Sequence, residues 1–568
     1  MKNENYMLID NIPVPIENEK NILEMVRKAG IELPTFCYYS ELSVYGACRM
    51  CMVENKHGGM EASCSTPPRA GMEIYTNTSK LRQHRKMILE LLLSNHCRDC
   101  NTCDKNGKCK LQELAHRFDI HRVRFENTSP EPLVDDSSPC ITKDASKCIL
   151  CGDCVRVCNE VQNVGAIDFA HRGSKMTVSC AFETPIGQSN CVGCGQCASV
   201  CPTGAIIIKD DSHLLWKELW NDNTNVVCQI APAVRVAVAK EFGYKGENVM
   251  GKIVASLKRL GFTYVFDTAT AADITVIEEA NEFIERIKKG ENIPLFTSCC
   301  PAWVKYCENN YPELMPNVSS CRSPMQMYAS VIREKFKDDT KRLVSVAIMP
   351  CTAKKGEAKR EEFMVDGKPI VDYVITTQEL IKMIREAGIC FNEIEPEAID
   401  MPFGSKSGAG VIFGVTGGVT EAVIRYVSTD KSSSALKMIA YNGVRGLEGV
   451  KEFTVPFGDT ELKIACVSGL KNANDIIQRV KNGEHFDLIE VMACPNGCIN
   501  GAGQPVAKAK ERKKRSAELY NNDSMCTIKS SEENPLIEYI YKEILKDKAH
   551  ELLHVHYNLS LIHISEPT

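Results

Sequence analysis

The sequence predicts a multidomain protein of mixed α+β and α/β class, and two observations support this prediction. The chain has 568 residues, which suggests three or four domains at roughly 150 residues each. Closely spaced cysteines form four groups before residue 202, whereas short apolar runs alternate with amphipathic helical patterns from residue 225 onward. We therefore predict small cysteine-rich modules followed by a two-lobed α/β domain with parallel-rich sheets.

The bulk composition narrows the function classes. The 29 cysteines are unusual, and disulfides are not the expected use, because the chain starts MKNENYMLID without an apolar signal segment. A cytoplasmic location is therefore predicted, where many thiols serve metal ligation or catalysis. With 68 basic and 73 acidic residues and no charge-biased half, no nucleic-acid partner is expected. No run approaches the roughly 18 apolar residues of a membrane span, so no membrane association is expected either.

Two cysteine runs match the pattern of bacterial ferredoxins, C-x2-C-x2-C-x3-C. In that pattern three neighbouring thiolates hold one 4Fe-4S cluster, and the fourth reaches across to a second cluster. A pair of zinc sites is the alternative. The pattern assigns one cluster to Cys148, Cys151, Cys154 and Cys201, and the other to Cys191, Cys194, Cys197 and Cys158.

Two further groups lie nearer the N-terminus. The first has the spacing C-x10-C-x2-C-x12-C, for which a structural zinc is the alternative to an iron–sulfur cluster, and it comprises Cys37, Cys48, Cys51 and Cys64. The second is the stretch HCRDCNTCDKNGKC, which contains His96, Cys97, Cys100, Cys103 and Cys109. The residues alone leave Cys97 as a competitor of His96 for the fourth ligand position.

These two segments resemble the start of the large iron–sulfur subunit of respiratory complex I and of related hydrogenases. The resemblance implies a β-grasp domain in which the first four cysteines hold a 2Fe-2S cluster. It also implies that a 4Fe-4S cluster follows, held by His96, Cys100, Cys103 and Cys109. A neutral imidazole in place of a thiolate would raise the potential of that cluster, as histidine ligands do in Rieske centres.

Three predicted strands of the second half end at cysteines. The motifs are TSCCPAW (297 to 303), MPCTAKKGE (349 to 357) and EVMACPNGCINGAG (490 to 503). Loops at the carboxyl ends of parallel strands commonly build sites, so we expect these three ends to converge. They supply four thiolates, enough for one more 4Fe-4S cluster, from Cys300, Cys351, Cys494 and Cys498.

The three motifs closely resemble the signatures of the FeFe hydrogenases, and the resemblance extends from the N-terminus to about residue 557. It implies reversible conversion of dihydrogen to two protons and two electrons at an H-cluster, whose two-iron subsite carries CO, cyanide and azadithiolate and is inserted by maturation proteins. Cys498 would bridge to that subsite, and Lys354 would donate a hydrogen bond to a cyanide. The residues expected to shape the pocket are Pro232, Met349 and Met492. Ferredoxin or a similar small carrier would exchange the electrons.

Cys299, adjacent to the ligand Cys300, is expected to relay a proton to the subsite. Glu279, Glu282 and Arg286 share one helical face, which the residues alone would explain as a solvated helix with an ion pair. The resemblance instead implies a proton path through Glu279, Ser319 and Glu282, with Arg286 orienting the outer glutamate. Cys321, two residues beyond Ser319, is an extra thiol that could affect oxygen or sulfide reactivity.

Two rival functions share parts of this pattern. A complex I-like electron-transfer subunit would share the first 200 residues, but it would not need TSCCPAW or Lys354. A hydrogenase-like iron–sulfur assembly protein would share the second half, but it would lack the relay thiol. Residues 126 to 139, rich in Pro, Ser and acid, are predicted to be a linker or exposed loop. The basic stretch 508 to 515 is predicted to be a solvated helix, with docking of an acidic ferredoxin as the alternative.

The predicted domain order follows from these assignments. It comprises a 2Fe-2S domain (1–80), a His-ligated 4Fe-4S domain (81–125), a two-cluster ferredoxin-like domain (126–210), the H-cluster domain (211–520), a C-terminal helical segment (521–557) and a non-native tail (558–568).

Overall fold

The computed structural model describes residues 5–127, 133–428, 443–457 and 460–557. Its elements confirm the predicted class, since small mixed modules precede two parallel-rich sheets covered by helices. In these described ranges, no helix combines the length and the apolar character that crossing a membrane would require. The predicted non-native tail lies outside the described residues.

The N-terminal module is a five-stranded mixed sheet with one packed helix, as expected for a β-grasp domain. Its helix, Ile22–Lys28, begins where the Asn21 side chain accepts a hydrogen bond from the Glu24 amide, a standard N-cap. The first and fifth strands pair in parallel, and the other pairs are antiparallel. The strands are Tyr6–Ile9, Ile12–Pro15, Met52–Asn55, Met60–Ala62 and Glu73–Tyr75.

Residues 79 to 210 form small modules with little regular structure. Part of the predicted linker is a strand, because Val134–Asp135 pairs with Ile141–Asp144 and the Asp135 carboxylate accepts a hydrogen bond from the Ile186 amide. These contacts satisfy backbone groups that a linker would leave to water; residues 128 to 132 lie outside the described ranges. The remaining main elements are helices Ser79–Ser94, Lys110–Arg117, Asp153–Arg156 and Gln196–Val200, and strands Asp168–Ala170, Thr177–Ser179 and Ile206–Ile208.

The first lobe of the large domain is built on a fully parallel four-stranded sheet, as the alternation of strands and helices predicted. Buried Val, Ile and Leu side chains from strands and helices form one continuous core. In spatial order the strands are Tyr264–Asp267, Thr224–Ile230, Arg342–Met349 and Tyr373–Thr376. The helices are Ser212–Leu219, Pro232–Glu241, Met250–Leu260, Pro324–Lys335 and Thr377–Glu386.

The second lobe contains a four-stranded sheet with three parallel strands and one antiparallel edge strand. The long helix Ala269–Lys289 packs against helices of both lobes and therefore links them. In spatial order the strands are Leu295–Phe296, Leu488–Met492, Thr460–Ser468 and Val450–Phe457. The other helices are Pro301–Asn310, Ala353–Glu357, Gly408–Val411, Gly418–Val427 and Leu470–Lys481.

The C-terminal segment folds back onto the large domain through helices Ala509–Met525, Pro535–Tyr539 and Ala549–Leu553. The prediction that 508 to 515 is a solvated helix is wrong for two of its arginines. Arg515 is buried and donates hydrogen bonds to the carbonyls of Ile499 and Pro505, and Arg512 is buried in an ion pair with Glu41. The predicted domain boundaries after residues 80 and 520 fall within helices.

A buried ion pair stabilises the first lobe. Arg235 donates to both carboxylate oxygens of Asp267 at 2.9 Å, and Lys406 contacts the same carboxylate. Burial alone would raise the pKa of Asp267, but Arg235 and Lys406 lower it to about 2. Asp267→Asn is therefore expected to lower the free energy of unfolding by about 3–5 kcal/mol, because a buried guanidinium loses its partner. The urea midpoint of tryptophan fluorescence measures this loss.

The pH dependence of that stabilisation has a defined sign. Because the folded pKa lies below the ordinary value of 3.8, the contribution is present above about pH 4 and is lost as the pH falls toward 2. Asp267→Asn should therefore differ most from the parent above pH 4. The control is Glu538→Gln, which removes an exposed pair with Lys542 and should change stability by less than about 0.5 kcal/mol. Equal loss in both variants would contradict the assignment.

Candidate active site and cluster sites

Four buried or half-buried thiols converge at the carboxyl ends of three parallel strands. Cys300 caps the Pro301–Asn310 helix, and the amide of Ala493, beside Cys494, lies 3.4 Å from the Cys300 sulfur. Burial, followed by the charges of Cys351, Cys300 and Cys498, raises the pKa of Cys494 well above its usual range. Four thiols this close would repel one another as thiolates, and iron would remove that repulsion, so the donor set fits a metal cluster.

Cys299 lies beside this group and contacts the same apolar wall, to which Met492, Cys300 and Cys498 also belong. Its backbone carbonyl accepts a hydrogen bond from the Lys354 ammonium at 3.3 Å. Burial, followed by the charge of Glu279, raises the pKa of the Cys299 thiol well above its usual range. The thiol is therefore protonated at neutral pH and close to an acid that can exchange its proton.

The predicted proton-path residues meet along one face of the Ala269–Lys289 helix. Ser319 donates its hydroxyl to Glu282 at 2.7 Å, and Arg286 donates to the other oxygen of Glu282 at 2.6 Å. Arg286 also donates to the carbonyls of Pro316 and Val318, which holds it against the loop that contains Ser319. These hydrogen bonds connect the helix to a loop that is distant in sequence. An ion pair on a solvated helix therefore does not explain the whole arrangement.

Glu279 lies on the inner side of that chain and is buried. Burial, followed by the charge of Glu282, raises its pKa to about 8. Within the described part of the protein neither carboxylate oxygen has a hydrogen-bond partner. The Ser298 amide and the Ser319 hydroxyl lie nearby outside hydrogen-bond geometry and offset only part of the shift. An unpartnered buried acid costs free energy, which is the pattern of a functional group.

The residues predicted to shape the pocket lie in different parts of the large domain. The Lys354 ammonium donates to Glu357 at 2.7 Å. Burial raises the pKa of Cys300, Cys351 and Cys498, and the Lys354 charge offsets part of that rise. Met492 packs on the apolar wall beside the cysteines. Met349 packs into the core of the first lobe, and Pro232 is the buried first residue of the Pro232–Glu241 helix.

In the two ferredoxin-like segments the cysteines lie near one another in the crossed groups that the spacing predicted, and their role as ligands stays a prediction. Burial raises the pKa of the three neighbouring cysteines in each run, and the charge of the cysteine from the other run adds to that rise. Cys201 has this effect on Cys148, Cys151 and Cys154, and Cys158 has it on Cys191, Cys194 and Cys197. The second site adjoins the active site. Gln196 donates to the Cys494 sulfur at 3.3 Å, and the charge of Cys194 adds to the rise that burial causes in the pKa of Cys494.

The N-terminal cysteines also group as predicted. The Cys48 amide donates to the Cys37 sulfur at 3.4 Å. Interaction with the Cys51 thiol, followed by burial and the charges of Cys51, Cys37 and Cys48, raises the pKa of Cys64. In the next group, the charges of Cys109, Cys103 and Cys97 raise the pKa of Cys100 in addition to burial.

His96 and Cys97 differ in their partners. Among the described residues, the buried Nδ1 of His96 has no hydrogen-bond partner, whereas the Cys97 sulfur lies 3.7 Å from the Asp99 carboxylate. Burial, followed by the charge of Lys147, lowers the pKa of His96, so a neutral imidazole is present at neutral pH. A neutral imidazole with an unused nitrogen suits metal ligation better than a thiol that already has a partner.

Sequence reasoning missed three residues that support the site. Glu357 neutralises Lys354, Gln196 connects two cluster sites, and Glu490 accepts hydrogen bonds from the amides of Gly417 and Thr420. Glu357 is the last residue of the motif MPCTAKKGE, and Glu490 is the first residue of EVMACPNGCINGAG. Their positions within the motifs could therefore have indicated a role in the site. Gln196 offered none, because its partner lies in another domain.

Comparison with protein families accounts for most of the chain. Residues 224–502 match the iron only hydrogenase large subunit, C-terminal domain, and residues 509–559 match the iron hydrogenase small subunit. Residues 6–79 match a 2Fe-2S iron-sulfur cluster binding domain, and residues 147–205 a 4Fe-4S dicluster domain. Residues 85–124 match the iron-sulfur binding region of NADH-ubiquinone oxidoreductase-G. Together these matches define a multicluster iron–sulfur oxidoreductase.

Full-length relatives identify the family. The chain is 39% identical to the NADP-reducing hydrogenase subunit HndD of Solidesulfovibrio fructosivorans, over 97% of this chain and 98% of that protein. It is 34% identical to iron hydrogenase 1 of Clostridium pasteurianum, over 97% and 99%. A solved structure of FeFe hydrogenase HydA1 from Chlamydomonas reinhardtii is 35% identical, with a TM-score of 0.53, covering 61% of this chain and 99% of that one. The chain belongs to the FeFe hydrogenase family and is an oxidoreductase acting on H2.

Proposed function

We propose that this FeFe hydrogenase performs the reversible reaction of H2 to two protons and two electrons with the ligands and relay residues assigned here. The observation that supports this best is the meeting of four thiols from three strand ends beside a fifth thiol, Cys299, which packs on the same apolar wall and whose pKa is raised by the charge of Glu279 in addition to burial. Neither rival function needs that fifth thiol. The hydrogenase large-subunit match over 224–502 also disfavours a complex I-like subunit.

The residues would hold the H-cluster as follows. Cys300, Cys351, Cys494 and Cys498 would bind the 4Fe-4S part, with Cys498 also bridging to the two-iron subsite. Lys354 would donate to a cyanide of the subsite, for which its ammonium is oriented by Glu357. Met492, with Met349 and Pro232, would exclude water from the pocket. When bound, the H-cluster, with its CO, cyanide and azadithiolate ligands, supplies the heterolytic cleavage of H2.

The proton would travel along the chain's own side chains. Cys299 would exchange it with the pocket, and Glu279, protonated near neutral pH, would pass it outward. Ser319 connects to Glu282 by a hydrogen bond, and Arg286 positions that carboxylate without taking the proton, since a guanidinium does not titrate in this range. The side chains of Glu282 and Arg286 are 13% and 14% exposed, so the route ends at solvent.

Electrons would pass through four accessory clusters. These are one 2Fe-2S cluster on the first four cysteines and three 4Fe-4S clusters on the other groups. The Gln196 contact with Cys494 supports entry into the active site from the second ferredoxin-like cluster. Ferredoxin or a similar small carrier is the proposed external partner. A second candidate is a partner subunit that exchanges electrons with NADP, because the 39% identical relative carries the name of an NADP-reducing hydrogenase subunit.

Infrared spectroscopy of the chain matured anaerobically with its maturation proteins tests this proposal. Bands of metal-bound CO and cyanide, with about twenty irons per chain, are the expected result for one 2Fe-2S cluster, four 4Fe-4S clusters and a two-iron subsite. Absence of those bands with intact 4Fe-4S clusters would favour an assembly protein. The cytoplasmic location stays a prediction, which fractionation of the native cells checks.

Substitution of the histidine ligand tests the electron route. His96→Cys should retain the cluster and lower its reduction potential, because a thiolate adds negative charge to the iron site. Redox titration followed by electron paramagnetic resonance measures the shift. Cys97→Ala is the matched control and should leave cluster content and potential unchanged. Loss of the cluster in Cys97→Ala would instead assign the fourth ligand to Cys97.

A further inference from the structure

Three side chains that could bind a metal meet at the outer end of the proton route. They are Glu282 on the Ala269–Lys289 helix, Cys321 in the loop after Ser319, and His554 directly after the Ala549–Leu553 helix. One ligand atom of each side chain lies within 4.8 Å of the ligand atoms of the other two. The backbones of Cys321 and His554 are joined by an isolated β-bridge, so two of the three positions are fixed relative to one another. In the described ranges this is the one group of its kind outside the predicted cluster sites.

The histidine is oriented as a metal ligand would be. Its Nε2 lies 3.1 Å from the Glu278 carboxylate, and its Nδ1 lies 2.8 Å from the Ser320 hydroxyl, next to Cys321. Histidines that bind metals commonly donate their second N–H to a carboxylate, which sets the tautomer and the ring orientation. With Nε2–H donated to Glu278, Nδ1 carries the lone pair, which now accepts a hydrogen bond from the Ser320 hydroxyl, and a metal ion would take the place of that hydroxyl.

The site is reachable from solvent but shielded. The side chain of Glu282 is 13% exposed and that of His554 is 10% exposed, whereas Cys321 is fully buried. A small ion can therefore reach the two outer ligands first. Arg286 and Ser319 bind opposite oxygens of Glu282, so an ion at the oxygen facing Ser319 would not need to displace the guanidinium.

We propose that Glu282, Cys321 and His554 form a Zn²⁺ site that closes the proton exit when occupied. One carboxylate oxygen, one thiolate and one imidazole, with water in the fourth position, are a typical zinc donor set. Binding releases the Cys321 thiol proton and engages the Glu282 oxygen that now accepts the Ser319 hydrogen bond. The ion would therefore remove the Ser319–Glu282 hydrogen bond from the proposed proton route. This consequence for turnover rests on the proposed function, whereas the binding itself does not.

Zinc binding is tested on the fully matured chain with zinc ions alone, by competition with a zinc indicator and by X-ray absorption at the zinc edge. The expected result is one ion per chain with one sulfur at about 2.3 Å and nitrogen or oxygen at about 2.0–2.2 Å. Cys321→Ala and His554→Gln should each weaken binding at least about tenfold. A shell without sulfur, a shell of sulfur alone, or unchanged affinity in both variants would overturn the site.

Matched controls separate this site from incidental binding. Cys307→Ala removes another fully buried cysteine, and His550→Gln removes the histidine that stacks on His554 at 4.6 Å, so both should bind zinc as the parent does. Zinc should slow H2 turnover of the parent at least about tenfold and should do so less in Cys321→Ala and His554→Gln. Zinc that binds through all three ligands without slowing turnover would contradict the proton role of Glu282 while leaving the zinc site intact.

Discussion

Replacement of Cys299 by alanine is expected to slow H2 turnover by roughly 10²–10⁴-fold in both directions, the usual contribution of a positioned acid or base. The reason is that Cys299 packs beside the proposed ligand cysteines and lies near enough to Glu279 for the charge of that acid to raise its pKa, in addition to burial. Because Cys300, and not Cys299, is the proposed ligand, the infrared bands and the iron content should stay as in the parent. Hydrogen evolution with a chemical reductant and H2 oxidation with a dye measure the two directions.

The control for that variant is Cys307→Ala, which also removes a buried thiol, one that the Pro301–Asn310 helix itself directs into the core. Its turnover should match that of the parent. If Cys299→Ala kept full activity with intact clusters, the proton would have another route. If it lost the infrared bands, Cys299 would have a role in holding the cofactor, and the loss of activity would no longer report on proton transfer.

Glu279→Gln is expected to reduce turnover by a similar factor of roughly 10²–10⁴, because an amide has the shape of the protonated acid but cannot exchange a proton. The variant keeps the buried group neutral, so it should fold at least as well as the parent. Its folded state avoids the cost of an ionised carboxylate whose oxygens have no hydrogen-bond partner in the described ranges.

Stability provides a second readout for the same position. The pKa of Glu279 is raised from 4.5 to about 8, so the stability supplied by its neutral form is complete below pH 4.5 and is lost as the pH rises through 8. Urea unfolding from pH 5 to 9 should therefore show a smaller decline in Glu279→Gln than in the parent. Glu285→Gln, an exposed residue of the same helix paired with Lys289, is the control and should change neither turnover nor this slope.

A parent-like decline of stability in Glu279→Gln would mean that the carboxyl is ionised throughout this pH range. Undiminished turnover would exclude the residue from the route. The two measurements are independent, because one reports on the folded state at equilibrium and the other on proton transfer during the reaction.

Local spacing was the most informative part of the sequence. The ferredoxin-like ligands lie within runs of eleven residues, so the chain must bring them together wherever it folds, and the structure groups them in the predicted crossed sets. The helical spacing of Glu282 and Arg286 likewise predicted their contact. The proximity of Cys300 and Cys494 also followed, since they come after neighbouring parallel strands of one sheet, whereas Cys351 comes after a strand of the other lobe and joins them through the packing of the two lobes.

The predictions that differ from the structure concern residues whose burial or hydrogen bonding depends on segments distant in sequence. The basic stretch 508 to 515 was predicted to be solvated, but Arg515 is enclosed by two backbone carbonyls of a loop that precedes it. Residues 126 to 139 were predicted to be a linker or exposed loop, and although Val134 is exposed, Val134–Asp135 forms a strand whose hydrogen bonds a neighbouring strand provides. Composition describes a segment's own polarity and contains no information about what packs over it.

The sequence by itself determined the family, the grouping of cysteines that share a motif, and the helix that presents Glu279 and Glu282, because each depends on spacing of a few residues or on a recognisable motif. Only the tertiary structure decided which side chains meet across domains: Gln196 with Cys494, and His554 with Glu278 near Cys321. The physical reason is that such contacts are set by how helices and loops from separate segments pack. No local pattern in the chain encodes that packing.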